Sequence, residues 1–357
     1  MKVLVAAGGT GGHIYPALAV VEELQNRGLL SRIGWVGDPN RLEERVVRRL
    51  SWMEFYPLSS HGIDRRRPWT WPGSLLRTMG GLLRAIAIVR RFEPDVVFGT
   101  GGHAAFSPLV AAWFLRIPTV IHEQNARMGL SNRLLARIAD RVLLSYPETH
   151  GVPPRARTEV TGNPVRNEVN SVSPQLGGEL LVVGGSQGSR CLIEAMLRAA
   201  PELARAPRLR MRVVVGNAAP VEDVAESLAR AGVTAEVVRY VEPFADALAE
   251  ARLVVARAGA TTVAEVAAAG RPTVFVPWNG AANRHQHDNA RVMARSGGCL
   301  VLTEEVALRG LGELVTELWA DDLKLRDMAS AARALARPDA GRRVAEALLS
   351  LVEDKRT

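Results

Sequence analysis

Short runs of consecutive apolar residues alternate with longer segments of helical periodicity along almost the whole chain. Apolar runs of this length, without a polar residue at every second position, read as strands buried on both faces. The alternation with helices is that of an α/β protein with parallel sheets. Such runs fall at residues 3–7, 33–37, 96–99, 119–122 and 142–145. After Gly162 the pattern restarts, with candidate strands at 180–184, 212–216, 235–240, 253–257 and 273–277, the third interrupted by Glu236 and Arg239.

The restart reads as an internal repeat. VLVAAGGTGGHIYPALAV from Val3 and LLVVGGSQGSRCLIEAM from Leu180 both spell strand, Gly-Gly-(Thr/Ser)-x-Gly, helix, and VVFGTGGHAAFSP from Val96 repeats the device within the first half. Two Rossmann-like, doubly wound domains facing a cleft are expected, at residues 1–162 and 163–338. The stretch 162–178, rich in Pro, Ser, Asn and Gly, is expected to be the linker. A last helical segment at about 339–352 fits either domain, and the terminal residues 339–357 are expected to be able to return to the first.

The chain's 357 residues exceed what one core usually holds, and 47% hydrophobic with 23% charged residues is ordinary for a globular protein. Cys191 and Cys299 lack CxxC spacing and read as buried free thiols in a reducing compartment. The N-terminus lacks signal-peptide features, and no apolar run reaches the roughly 18 residues of a membrane span. The expected location is therefore the cytosol or the cytosolic side of a membrane. The net charge is +8, and only Lys2, Lys324 and Lys355 are lysines. An arginine-rich surface attracts phosphates, whether of nucleic acids, anionic lipids or nucleotide sugars.

A parallel strand, a glycine loop and a helix together place backbone N–H groups and a helix dipole at the carboxyl edge of a sheet, where phosphates bind. Gly8, Gly9, Gly11 and Gly12 with Thr10 form one such loop; Gly184, Gly185 and Gly188 with Ser186 and Gln187 form the other. Neither is a full GxGxxG, and one alone also fits a tight turn without a ligand. His13 closes the first loop at a helix N-terminus, where the dipole disfavours added positive charge. That suits a general base; the alternative is a histidine that caps or packs.

His122, Glu123, Gln124 and Asn125 directly follow a strand and read as catalytic-edge residues or as local turn hydrogen bonding. Arg166, in Gly-Asn-Pro-Val-Arg, is placed to reach a phosphate or to form an interdomain ion pair. Thr262-x-x-Glu265 matches a capping box, while the functional reading has Glu265 binding both hydroxyls of a ribose. Residues 283–289, Asn-Arg-His-Gln-His-Asp-Asn, suit sugar hydroxyls, and the spacing of His285 and His287 argues against a metal. Asp64-Arg-Arg-Arg-Pro-Trp-Thr-Trp71 precedes a predicted helix at about 74–91. On it Leu75, Met79, Leu82, Leu83 and Ile86 form one face, opposite Arg77, Arg84 and Arg91. The stretch 64–91 reads either as a sheet-packing helix with solvated arginines or as a patch for an anionic membrane surface.

In order and spacing these motifs resemble the MurG family of GT-B-fold bacterial N-acetylglucosaminyltransferases. The likeness rests on GGTGGH ending at His13, HEQN at 122–125, GNPVR at 162–166, GGSQG at 184–188, residues 260–265 and Gln286 with Asn289-Ala290. It implies an inverting transfer of N-acetylglucosamine from UDP-N-acetylglucosamine to the C4 hydroxyl of the muramyl sugar of lipid I, giving lipid II for the cell wall. The enzyme would be peripheral, on the cytoplasmic face of the membrane.

By the same resemblance His13 is the base. Thr10, Gly11, Gly12, Asn125, Arg166, Ser186, Val241, Ala260, Thr261, Thr262, Val263, Ala264, Glu265 and Gln286 hold the donor. Gly101 and Gly102, with His122 and Glu123, face the acceptor. No cofactor, metal or nucleic acid is implied. The chain departs from the family's pattern at His103, often tyrosine, and at His285, often glutamine. The rival readings are a GT-B-fold UDP-N-acetylglucosamine 2-epimerase, an NAD-dependent oxidoreductase with Asp38 on the ribose, and a basic nucleic-acid binder without a reading module.

Overall fold

The computed structural model describes residues 1–59, 71–185, 187–281 and 284–355, and of residues 71–78 the backbone only. Ser186 and the Arg- and Trp-bearing stretch 64–70 lie outside the described residues. The chain divides into two units, Met1–Pro164 with Asp339–Thr357, and Val165–Pro338.

The first unit runs β1 (Lys2–Ala7), α1 (Gly11–Asn26), β2 (Arg32–Gly37), α2 (Leu42–Val47), β3 (Glu54–Pro57), α3 (Trp71–Phe92) and β4 (Val96–Gly101). It continues through α4 (Gly102–Phe114), β5 (Thr119–Glu123), α5 (Leu130–Leu135), β6 (Arg141–Leu144) and β7 (Thr158–Val160). Its strands pair in parallel in the order β3-β2-β1-β4-β5-β6-β7. Period-two alternation divides even the all-apolar strands between two cores. Val3, Val5 and Ala7 of β1 face α1, while Leu4 and Ala6 face α3 and α4.

The second unit runs α6 (Asn167–Asn170), β8 (Glu179–Val183), α7 (Arg190–Leu203), β9 (Arg210–Val214), α8 (Val221–Arg230), β10 (Thr234–Val238) and α9 (Phe244–Glu250). It continues through β11 (Ala251–Ala256), α10 (Ala260–Ala268), β12 (Thr273–Phe275), α11 (His285–Arg295), β13 (Cys299–Val301), α12 (Glu304–Ala320) and α13 (Asp322–Ala334). Its sheet is also parallel, in the order β10-β9-β8-β11-β12-β13.

The expected linker at 162–178 belongs largely to the second unit. Val165, Val169 and Val172 are buried in its core, and Arg271 donates to the carbonyl of Ser173 at 2.8 Å. Pro and Gly there shape a packed segment. The terminal helix α14 (Ala340–Asp354) returns to the first unit. Val344, Leu348, Leu351 and Val352 enter the core beside Ile14, Val21 and Leu24 of α1. Each such side chain contributes about 1.5–3 kcal/mol on burial. Arg141 fixes the helix further, donating to Ala347 O at 3.2 Å and Ser350 Oγ at 2.6 Å. Among the described residues no helix is long and apolar enough to cross a membrane.

Candidate active site

In both sheets the first strand of the unit has its sequence successor on one side and a later strand on the other, β1 between β2 and β4, and β8 between β9 and β11. Loops at such a reversal diverge and leave room at the carboxyl edge for a ligand. Both sequence-predicted glycine loops lie there.

In the first unit β1 leads through Gly8 and Gly9 into α1, with His13 in the helix's first turn. Gly9 adopts φ +90°, and its N–H faces both carboxyl oxygens of fully buried Glu43 at 3.4 Å. Glu43 Oε1 also accepts from Asp38 N at 3.2 Å, and a Cβ on Gly8 would stand 2.5 Å from that oxygen. Beside this loop β4 runs into α4 through Gly101 and Gly102, with φ of +98° and +74°. A Cβ on Gly102 would come 3.3 Å from His13 Cδ2, so the close approach of loop and imidazole requires glycine. Thr100 Oγ1 donates to His13 O at 2.8 Å, and His13 Nδ1 lies 3.1 Å from Gln124 Oε1. His103 is exposed.

His122 and Glu123, read from sequence as acceptor contacts, are withdrawn from solvent and act inside the protein. His122 Nε2 is 2.8 Å from Gly162 O, and burial pushes its pKa down to about 4. Glu123 Oε1 accepts from Asn125 N at 3.0 Å and Asn125 Nδ2 at 2.9 Å. Its Oε2 accepts from Gly129 N and Asn132 Nδ2, each at 3.0 Å. Both residues end β5, and their hydrogen bonds tie down Gln124, Asn125 and the loop after them. Asn125 itself is half-exposed.

In the second unit β8 ends in Gly184 and Gly185, and Gly188 precedes α7. A Cβ on Gly188 would stand 2.1 Å from Val215 O, and its φ is +76°. Ser189 Oγ caps α7, accepting from Leu192 N at 3.2 Å and from Arg257 Nε at 2.8 Å. Arg257, also buried, donates to Val276 O at 2.9 Å and pairs with Glu304 at 2.6 Å.

Next to it β11 leads into α10, whose N-cap is Gly259. The capping-box expectation therefore fails: Thr262 lies in the helix's first turn and Glu265 a turn further along. The buried carboxyl of Glu265 instead meets Arg166 at 2.7 Å. Burial raises the Glu265 pKa against the opposing pull of Arg166. Ala260, Thr261, Thr262, Val263 and Ala264 form the start of this nine-residue helix and turn its N–H groups to the carboxyl edge. Val241, after β10, and Phe244 pack against the same core, and Arg166 lies 5.7 Å over the Phe244 ring. Gln286, in the first turn of α11, accepts from Trp278 N at 2.9 Å. Arg166, Val241, residues 260–265, Gln286 and the second loop thus converge on one sheet edge. Sequence reasoning passed over two of the residues that build these edges, Glu43 and Arg257. Glu43 sits in a charged run, Arg41-Leu-Glu-Glu-Arg45, and Arg257 ends an apolar strand; only burial marks either of them.

Residues 3–144 match the glycosyltransferase family 28 N-terminal domain, and residues 179–344 match the glycosyltransferase family 28 C-terminal domain. The chain is 42% identical over 346 residues to the UDP-N-acetylglucosamine–N-acetylmuramyl-(pentapeptide) pyrophosphoryl-undecaprenol N-acetylglucosamine transferase of Syntrophotalea carbinolica, covering 94% of each. It is similar to the crystal structure of Acinetobacter baumannii MurG, with 30% identity, TM-score 0.78, and coverage of 98% of this chain and 99% of that one. The UDP-GlcNAc 2-epimerase from Neisseria meningitidis shares the fold, at 16% identity and TM-score 0.70, with 98% and 100% covered.

Proposed function

The chain belongs to the MurG family of GT-B-fold glycosyltransferases and transfers N-acetylglucosamine from UDP-N-acetylglucosamine to lipid I, forming lipid II; we propose how its two units divide that work. The first unit handles the acceptor and the proton. His13 Nε2 takes the proton of the C4 hydroxyl as that oxygen bonds to the anomeric carbon. The bond from that carbon to the UDP diphosphate breaks, with the electron pair leaving on UDP, so the configuration inverts. The observation that carries this role is the placement of His13 at the sheet's reversal point, its ring held between Gln124 and a glycine with no side chain to cover it. Gly101 and Gly102, at the N-terminus of α4, suit the acceptor diphosphate.

The second unit holds UDP. The second loop with Ser186 and the N-terminus of α10 take the diphosphate, while Arg166 adds a cation. Glu265 takes the ribose hydroxyls, Val241 the uracil through its backbone, and Gln286 the sugar. Thr10, Gly11, Gly12 and Asn125 add donor contacts from the first unit. Backbone N–H groups aimed at the departing diphosphate stabilise the charge that develops there.

The test is UDP release from UDP-N-acetylglucosamine with and without a lipid I analogue. Release requires the acceptor, and His13→Ala lowers kcat by about 100- to 10,000-fold while leaving UDP binding intact. Loss of UDP binding in that variant would overturn the base role.

The same unit meets the membrane. Of the predicted helix face on α3, Leu82 and Ile86 are half-buried, whereas Met79 and Leu83 are exposed; the buried face is Ala85, Val89 and Phe92. Trp113 and Phe114 of α4 and Leu130 and Leu134 of α5 are exposed too, on helices packed successively from α3 through α4 to α5. Arg84, Arg116, Arg133 and Arg137 stand exposed among them. Apolar side chains interspersed with arginines suit an anionic bilayer surface. Replacing Leu83, Trp113 and Phe114 by serine weakens binding to phosphatidylglycerol vesicles at least about tenfold, at roughly 0.8 kcal/mol per buried methylene; unchanged binding would sink this reading.

A further inference from the structure

Behind His13 stands a chain of polar groups whose directions are fixed at its far end. Gly162 O can only accept, so His122 Nε2, 2.8 Å away, carries a proton. His122 is fully buried and its pKa lies at about 4, so the ring is neutral and its Nδ1 is an acceptor. Gln124 Nε2 sits 3.0 Å from that Nδ1 and 3.1 Å from His122 O. Both are acceptors, so both amide hydrogens are spent on His122 and the amide orientation is determined twice over. Gln124 Oε1 is thereby turned to His13 Nδ1 at 3.1 Å.

We infer that Gln124, oriented by His122 and Gly162, is a positioning residue that holds His13 in the Nδ1–H tautomer and so leaves the lone pair on Nε2. The inference rests on the reading of His13 as the base. The relay differs from a carboxylate–histidine pair in that the group on Nδ1 is an amide. It selects the nitrogen that accepts the proton without placing a negative charge beside the imidazole. When His13 takes the acceptor's proton on Nε2, the Nδ1–H bond to Gln124 is kept and becomes charge-assisted. On its other edge, a Cβ on Gly102 would be 3.7 Å from Nε2, so the absence of a side chain there leaves that nitrogen approachable. Asn132 Nδ2 donates to His122 O at 3.1 Å and pins the backbone from which the relay hangs.

The test is long-range 1H–15N correlation of the imidazoles in the full-length protein, with His13 assigned by its loss in His13→Ala, together with steady-state kinetics. The wild type shows the proton on His13 Nδ1. Gln124→Met, which keeps volume and removes the acceptor, shifts His13 towards the Nε2–H form. It lowers kcat by about 10- to 100-fold, with the KM for UDP-N-acetylglucosamine nearly unchanged. A wild-type His13 protonated at Nε2, or a Gln124→Met enzyme with normal kcat and tautomer, would overturn the relay. A His13→Ala enzyme that keeps its kcat would sink the base reading instead, whatever the tautomer.

Discussion

The two glycine loops are nearly the same in sequence and occupy equivalent places in their sheets, yet different chemistry stands behind them. At the first, the supports are acceptors and an amide: Glu43 takes the N–H of Gly9, Glu123 takes four N–H donors, and Gln124 bridges His13 and His122. At the second, the supports are ion pairs, Arg257 with Glu304 behind the loop and Arg166 with Glu265 beside it. At both loops carboxyl groups already take up donors, a backbone N–H at the first and guanidinium N–H groups at the second. On the proposed division of work, the first loop presents a histidine and the second holds a charged ligand. A shared backbone device is put to two uses by what packs beneath it.

The largest effect expected to probe this contrast is at the second site. Arg166→Met leaves Glu265 buried without its cation and costs about 3–5 kcal/mol, read as a drop in denaturation midpoint. A loss under about 1 kcal/mol would show that the pair is not the second unit's main charge anchor.

Two buried groups, one in each unit, respond to pH with opposite sign. His122 has a folded-state pKa of about 4 against an ordinary 6.5, so its contribution is present above pH 6.5 and is lost as pH falls towards 4. The loss is about 3 kcal/mol at 1.36 kcal/mol per unit. Glu265 has a folded-state pKa raised above 4.5, so its contribution is present below pH 4.5 and is lost as pH rises past it. Hydrogen exchange resolved by unit shows protection near His122 falling on acidification, and His122→Asn flattens that slope. An equal slope in wild type and variant would remove His122 from the account.

The smallest effect separates the loops themselves. At Gly188 an added Cβ meets Val215 O at 2.1 Å, whereas at Gly9 it meets nothing within 4 Å. Both have positive φ. Gly9→Ala therefore costs only its backbone strain, about 1–2 kcal/mol, and Gly188→Ala costs about 1–3 kcal/mol more from overpacking. Equal losses in thermal unfolding would mean that the loops are tuned alike.

The order of the elements was legible because strands buried on both faces leave uninterrupted apolar runs, which need no partner to be recognised. The strands missing from that pattern are β3, β7 and β13, each at the edge of its sheet. β7 is exposed along its whole length, so nothing periodic marks it. The glycine loops, His13 and the polar run at 122–125 were legible as chemistry because their residue types are unusual at strand ends. Their division into contact and support was not. His122 and Glu123 read like Asn125 until burial tells them apart.

By itself the sequence determined the α/β class, the two-fold repeat, the loops and the family, since each is written in contiguous residues and local spacing. Tertiary structure alone decided the rest. α14 is amphipathic and fits either unit; it belongs to the first because Arg141 and the apolar face of α1 meet it there. Glu265 matches a helix cap until Arg166, 99 residues away, claims its carboxyl. The direction of Gln124 follows from a carbonyl 38 residues further along the chain, at Gly162. Hydrogen bonds and ion pairs between distant residues depend on what folding brings within 3 Å, and no local pattern encodes that.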